Sequence, residues 1–197
     1  MSQEENGWAD YYQKIKGRAP RQLLLDVLKN YPSEASLHAI DLGCGDGTET
    51  AVLLERGWTV LAVDGEPAAI RHLMEKVPAE QQPRLQTQVA NFEEITLPGA
   101  DLVHASLSIP FCKPEHFPAL WQKIVTAIKP GGRFAGQFFG VRDSWAANTD
   151  ITFHTEEQVR QMLSGFEIES FQEMDEDGNA VSGPKHWHVF TVIARKR

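Results

Sequence analysis

Apolar positions along the chain alternate between two periods. Leu37-His38-Ala39-Ile40 is a short apolar run that reads as a strand, and the run from Glu49 to Arg56 has a helical pattern. Trp58 to Val63 is almost wholly apolar, as expected for a parallel strand buried on both faces, and it ends at Asp64-Gly65. Pro67 suits the first position of the helix that follows. Leu85–Val89, ending at Asn91-Phe92, and Leu102–Ala105, closing at Ser106, read as the third and fourth strands. Pro114 to Ile128 reads as a helix stopped by Lys129-Pro130-Gly131-Gly132, and Arg133 to Phe139 as a fifth strand. Thr155 and Gln158 have capping-box spacing at the start of another helix. Phe166–Met174 and Trp187–Ala194 read as two last strands, with a turn predicted at Asp175-Glu176-Asp177-Gly178-Asn179. At the N-terminus, residues 8–30 read as two helical pieces divided by Gly17 and Pro20.

Strands alternating with helices predict a parallel sheet covered on both sides. The last two strands have no helix between them, so they are expected to pair antiparallel. The fold class is therefore α/β: a three-layer, Rossmann-like, mostly parallel sheet.

The densest chemical signal is Asp41-Leu42-Gly43-Cys44-Gly45-Asp46-Gly47-Thr48, between the first strand and its helix. Strand, glycine-rich turn and helix bring a small cofactor against the main chain. The glycines are spaced G-x-G-x-G, not G-x-G-x-x-G. Asp41 and Asp46 would repel a diphosphate, at a cost of about 1 kcal/mol or more per close pair, but suit a cationic ligand. S-adenosylmethionine carries a sulfonium and an ammonium group. The stretch resembles the first motif of class I S-adenosylmethionine-dependent methyltransferases. That resemblance implies a seven-stranded sheet with one reversed strand near its edge, in a single domain over 1–197 with 1–32 as a helical cap over the cofactor.

Ligands of open α/β sheets bind at the carboxyl ends of the strands. Asp64, beside Gly65 and 17 residues after Gly47, is placed to accept both ribose hydroxyls. The family resemblance implies adenine contacts at Asn91 and Phe92 and a methionine-end contact at Ser106. Arg18 offers a bidentate fork for the cofactor carboxylate, and Tyr12 is a candidate lid residue with Trp8 and Tyr11. The cofactor set is then Tyr12, Arg18, Asp41, Gly43, Gly45, Asp64, Gly65, Asn91, Phe92 and Ser106. Phe111, Arg142, His154 and Trp187 are the substrate-side candidates.

Net charge is −8, which argues against nucleic acid or anionic lipid as the default partner. No run approaches the ~20 apolar residues of a membrane helix, and the two cysteines, Cys44 and Cys112, lack C-x-x-C spacing, so a reducing cytoplasm is expected. The seven histidines show no metal-ligand spacing. The expected reaction is in-line methyl transfer to a small-molecule acceptor, resting on alignment. A nicotinamide oxidoreductase, a non-catalytic S-adenosylmethionine-binding protein, and a methyltransferase acting on protein or nucleic acid are the alternatives. Ser108-Ile109-Pro110-Phe111 is similar to the amine-methylating Asp/Asn/Ser-Pro-Pro-Tyr/Phe motif of nucleic-acid enzymes, with Ile109 replacing the first proline. The tail, Asp177-Gly178-Asn179 and then Phe190 to Lys196, is loosely similar to small tellurite-resistance-type methyltransferases.

Overall fold

The structure, a computed structural model, describes residues 17–32 and 36–197. Tyr12, Trp8 and Tyr11 lie outside the described residues. Five α-helices are described: α1 (Gln22–Leu28), α2 (Thr48–Glu55), α3 (Pro67–Lys76), α4 (Phe117–Ala127) and α5 (Glu156–Met162). The strands are β1 (His38–Leu42), β2 (Thr59–Asp64), β3 (Leu85–Val89), β4 (Ala100–Ala105), β5 (Ile128–Gly140), β6 (Phe153–His154), β7 (Phe166–Ala180) and β8 (Gly183–Lys196).

They form one sheet in the order β3-β2-β1-β4-β5-β8-β7, with the two-residue β6 on β5. β1 to β5 run parallel, while β8 is antiparallel to both β5 and β7. β8 is thus the single reversed strand of the main path, one place in from the edge, as the α/β pattern and the resemblance predict.

Because side chains alternate along a strand, the sheet feeds two cores. Ile40, Leu42, Leu61, Val63 and Val103 face α4 and α5. Ala39, Val60, Ala62 and Leu102 face α1, α2 and α3. α1 buries Leu23, Leu24, Val27 and Leu28, each contributing on the order of 1.5–3 kcal/mol. Tyr31, just past α1, meets Trp58 edge-on at 4.9 Å and donates its hydroxyl to Asp101 O at 2.6 Å. The capping box forms: Thr155 Oγ1 accepts the Gln158 N–H while Gln158 Oε1 accepts the Thr155 N–H.

Three boundaries depart from the pattern, the first being that β5 already begins at Ile128 and takes in the predicted stop Lys129-Pro130-Gly131-Gly132. The predicted helix from Pro114 begins at Phe117. Asp175–Asn179 is strand, not turn; the hairpin reverses at Val181-Ser182, between the paired Ala180 and Gly183. Acidic and small residues signal a turn when read locally. Here cross-strand partners override that signal, since Asp175 and Asp177 both hydrogen-bond His186 on β8.

Candidate functional site

Leu42, Asp64, Val89, Ala105 and Gly140 end their parallel strands along one edge of the sheet. The glycine loop sits there, and its conformation explains its composition. Gly43, Gly45 and Gly47 have φ of 70°, 53° and 73°, left-handed values that favour glycine. A Cβ on Gly43 would lie 2.3 Å from Ser108 Cβ, and one on Gly47 would lie 2.5 Å from Leu73 Cδ1. At these two positions the missing side chain makes room for protein. Ser108 closes down on the loop by donating its hydroxyl to Leu42 O at 2.5 Å. Leu107, between Ser106 and Ser108, takes φ of 50°, a strained value for a leucine. Its side chain packs into the aromatic cluster of Phe139, Trp145 and Trp187.

The loop spends its backbone donors inside the protein. Gly43 and Cys44 N–H donate to Val63 O at 2.8 and 3.0 Å, and Gly47 N–H to Cys44 O at 2.9 Å. Gly45 N–H donates to Asp64 Oδ2 at 2.9 Å, and Thr48 N–H to Asp46 Oδ1 at 3.3 Å. A diphosphate cradle needs such donors turned outward.

The loop carboxylates also have partners inside the protein. Asp41, 2% exposed, takes the Thr50 hydroxyl at 2.7 Å and lies 2.9 Å from His104 Nδ1. His104 is itself buried, and its Nε2 has no partner among the described residues. Asp46 accepts the Thr48 hydroxyl at 2.6 Å, meets Arg18 Nη2 at 3.2 Å and has Lys76 Nζ at 3.7 Å.

Arg18 grips both Glu49 carboxylate oxygens with its guanidinium, so its fork is turned on the protein. Burial pushes the Glu49 carboxyl up, but Arg18 and the Arg21 N–H outweigh it and hold the group at about 2. Burial, with Asp41 and Asp64 nearby, raises the Cys44 thiol well above its ordinary range. A thiol so raised is a space-filler, not a nucleophile.

Asp64, 6% exposed, is the carboxylate that the strand ends organise. It accepts N–H groups from two loops, Gly45 onto Oδ2 and Glu66 onto Oδ1, both at 2.9 Å. A carboxylate fixed in this way is a pre-oriented acceptor pair for two vicinal hydroxyls. Ala90 N–H donates to Asp64 O at 3.1 Å, bringing the end of β3 alongside. Exposed Asn91 follows, with its Oδ1 3.3 Å from where a Gly65 Cβ would stand. Phe92 is half-buried against the core beneath α4. Asp64, Gly65 and Asn91 therefore come together with Gly45, while Ser106 lies across the loop, bonded to Gln137.

The substrate-side candidates do not gather at one point. Phe111 and Trp187 belong to one aromatic cluster with Phe139 and Trp145. His154 packs between Phe117, at 4.6 Å, and Phe138, at 5.7 Å. Burial lowers its imidazole to about 4, so it is neutral at pH 7. Arg142 lies along the hairpin, its guanidinium bridging Glu173 and Asp175 at 2.6 Å each. Glu173, Asp175 and His188 place donor atoms within 4.8 Å of one another. However, His188 Nδ1 accepts the Arg142 N–H at 3.0 Å, so its Nε2 carries the proton toward Glu173 at 2.9 Å. A protonated Nε2 offers a metal no lone pair, and the cluster is an ion-pair network.

Sequence reasoning placed Asp143, with Arg142, after the fifth strand as a candidate substrate contact, but missed Lys185 and the pairing of the two. Lys185, 4% exposed, pairs with Asp143 under Trp145, with Nζ 3.8 Å from that ring centroid and 4.5 Å from that of Trp187. Asp143 also accepts the Trp145 and His188 N–H groups. The pair fastens the loop after β5 to the hairpin. Its residues are far apart in sequence, and no local pattern marks their pairing.

Comparison with known proteins bears on the same edge of the sheet. The profile of a methyltransferase domain family matches residues 39–132. The carboxy-S-adenosyl-L-methionine synthase of Citrifermentans bemidjiense is 29% identical over 114 residues, covering 55% of this chain and 47% of that protein. The trans-aconitate 2-methyltransferase of Deinococcus radiodurans is 31% identical over 143 residues, covering 72% and 52%. The chain thus spans about half the length of the curated relatives it matches. TehB from Haemophilus influenzae superposes with a TM-score of 0.78 at 18% identity, over 96% of this chain and 67% of its own, and shares the fold. No helix among the described residues is long and apolar enough to cross a membrane. The matched region spans the glycine loop, Asp64 and the parallel strands that hold them, so residues 39–132 are similar to a methyltransferase domain, on a fold shared with TehB.

Proposed function

We infer that this protein transfers a methyl group from S-adenosylmethionine to a small-molecule acceptor. The observation that carries the reading is Asp64: a buried carboxylate at the end of β2, gripped by the Gly45 and Glu66 N–H groups and flanked by Asn91. Such a group fits a ribose diol. The Gly43, Cys44, Gly45, Gly47 and Thr48 N–H groups are all committed within the protein, which fits a nucleoside without a diphosphate. That second point disfavours a nicotinamide dinucleotide.

In this reading Asp64 binds the ribose, and Gly65 with Asn91 lines the purine position. Ser106 borders the methionine end. Arg18 acts through Glu49 and Asp46, tying the segment before α1 to the glycine loop. Tyr12 remains a proposed lid residue, and residues 1–32 a proposed cap. The bound cofactor supplies an electrophilic methyl group on a good leaving group. The protein's part is alignment and exclusion of water. His154 sits among phenylalanines, and burial raises the Cys112 thiol to about 11. Neither serves as a ready base at pH 7.

The relatives' names concern small molecules, trans-aconitate and carboxy-S-adenosyl-L-methionine, which supports an acceptor of that size. The test is isothermal titration of S-adenosylhomocysteine. Micromolar binding is expected, weakened about tenfold or more by Asp64→Ala, a loss of ~1.4 kcal/mol. Unchanged affinity in that variant contradicts the assignment. Labelled methyl transfer to small acceptors then separates an enzyme from a protein that only binds the cofactor.

A further inference from the structure

Beside α1, the carboxyl-terminal region of the sheet carries a row of polar side chains across four elements. Gln137 on β5 pairs in register with Thr191 on β8, which pairs with Gln172 on β7. Ser106, just past β4, completes the row by donating its hydroxyl to Gln137 Oε1 at 3.0 Å, and Gln137 Nε2 donates to Thr191 Oγ1 at 3.1 Å. One rung down on the same face, Ala135 and Ile193 are buried and apolar. The row therefore marks a change from core to something wetter. It floors a groove of about 370 Å³, also lined by Arg21, Gln22, Asp26 and Ser170, within the size range of small-ligand sites; the Asp26 carboxylate there is taken up by Gln22 Nε2 at 2.9 Å and Lys29 Nζ at 2.6 Å.

Counting protons gives the groove a polarity. A serine or threonine hydroxyl has one proton, and a glutamine amide has two. In the row as it stands, the Ser106 proton and one amide proton are used. The Thr191 hydroxyl and the second Gln137 N–H are left as donors. Turning the amide over consumes the Thr191 proton and leaves the Ser106 proton instead. Either way two donors remain, and Arg21 adds a guanidinium at the rim.

We propose that this groove is the acceptor site and that it takes a small carboxylic acid, an inference resting on the methyltransferase reading above. A carboxylate accepts from converging neutral donors and a cation, and it needs no base. One of its oxygen lone pairs forms the new carbon–oxygen bond as the carbon–sulfur bond breaks, with its electron pair staying on sulfur. The positive and negative charges cancel, and no proton has to leave. Gln137 is the reading residue, and Ser106 links it to the loop that follows β4. A second open recess, about 430 Å³ and lined by Phe111, Ser144, Trp145, Ala147, Asn148 and Ile151, has two polar side chains but no cation in its lining.

The test uses the full chain saturated with S-adenosylhomocysteine. Trans-aconitate and a series of mono-, di- and tricarboxylic acids of similar size are titrated by calorimetry, beside matched amines and thiols. An acid is expected to bind. Gln137→Leu weakens it by about tenfold or more, because a polar partner is then left unmet, with S-adenosylhomocysteine affinity unchanged. Gln137→Glu, nearly isosteric, repels an acid and strengthens an amine, so the sign reads the ligand's charge without depending on packing. Ala147→Leu, which fills the aromatic recess, leaves acid affinity unchanged. Binding of S-adenosylhomocysteine with no acid, binding of amines or thiols alone, or unchanged acid affinity in both Gln137 variants overturns the proposal. Failure of S-adenosylhomocysteine itself to bind overturns the methyltransferase reading with it.

Discussion

The sheet has two halves that handle buried charge differently. From β1 to β4, within the family match, carboxylates sit under the glycine loop and each is held by short-range partners: Asp41 by Thr50 and His104, Asp46 by Thr48 and Arg18, Asp64 by two backbone N–H groups. From β5 onward, mostly beyond that match, the principal buried charge is Lys185, paired with Asp143 inside a wall of tryptophans. Within the first arrangement, Asp64 is the carboxylate that backbone N–H groups from two loops orient. The second locks a loop to a hairpin, and its acceptor is consumed. Asp64 and Asp143 thus play different parts at the two ends of one sheet, and what separates them is that a full cation, Lys185, is paired with Asp143 while two backbone N–H groups orient Asp64.

The largest expected effect breaks the second half. Asp143→Ala strands the Lys185 ammonium among rings and should cost about 3–5 kcal/mol in urea unfolding. Lys185→Met keeps the volume and should cost distinctly less. Equal losses would show that packing, not charge, fastens the loop. Next is Gly43→Ala, which drives a Cβ into Ser108 at a left-handed φ. Overpacking predicts a loss of roughly 1–3 kcal/mol, and Ser108→Gly in the same chain should recover part of it.

An effect of similar size, confined to acid pH, concerns Glu49, whose folded pKa is depressed to about 2 from an ordinary 4.5. The stabilisation is therefore fully present above about pH 4.5 and is lost as pH falls through about 2, up to roughly 3 kcal/mol at the acid limit. Glu49→Gln should flatten that part of the stability–pH curve. An unchanged slope would break the Arg18–Glu49 account. The smallest effect is at the hairpin tip. Replacing Val181-Ser182 by Asn-Gly, which suits a two-residue turn, should raise stability by ~0.5 kcal/mol, read as a shift in the urea midpoint.

The same contrast explains what the sequence discloses. The Gly43–Gly47 loop, the apolar β2 run and the Thr155–Gln158 cap are contiguous signals, and the parallel direction of β1 to β5 follows from strand–helix alternation. Asp175–Asn179 misleads because His186, the partner that makes it strand, lies on the other arm of the hairpin. Asp64 is legible by its place at a strand end, yet the N–H groups that hold it emerge only in three dimensions. The partners of Asp41 and Asp46 are hidden for the same reason: His104, Arg18 and Lys76 come from elsewhere in the chain. Gln137 and Thr191 are single polar residues in the apolar runs 134–139 and 189–194, and only the register shows that they meet.

The most direct measurement compares two nucleotides on the unmodified protein. S-adenosylhomocysteine and reduced nicotinamide dinucleotide are titrated separately by calorimetry. A loop whose amides are already spoken for, beside a readied Asp64, predicts micromolar uptake of the first and none of the second. Binding of the dinucleotide as tightly as the thioether, or of neither, would contradict it.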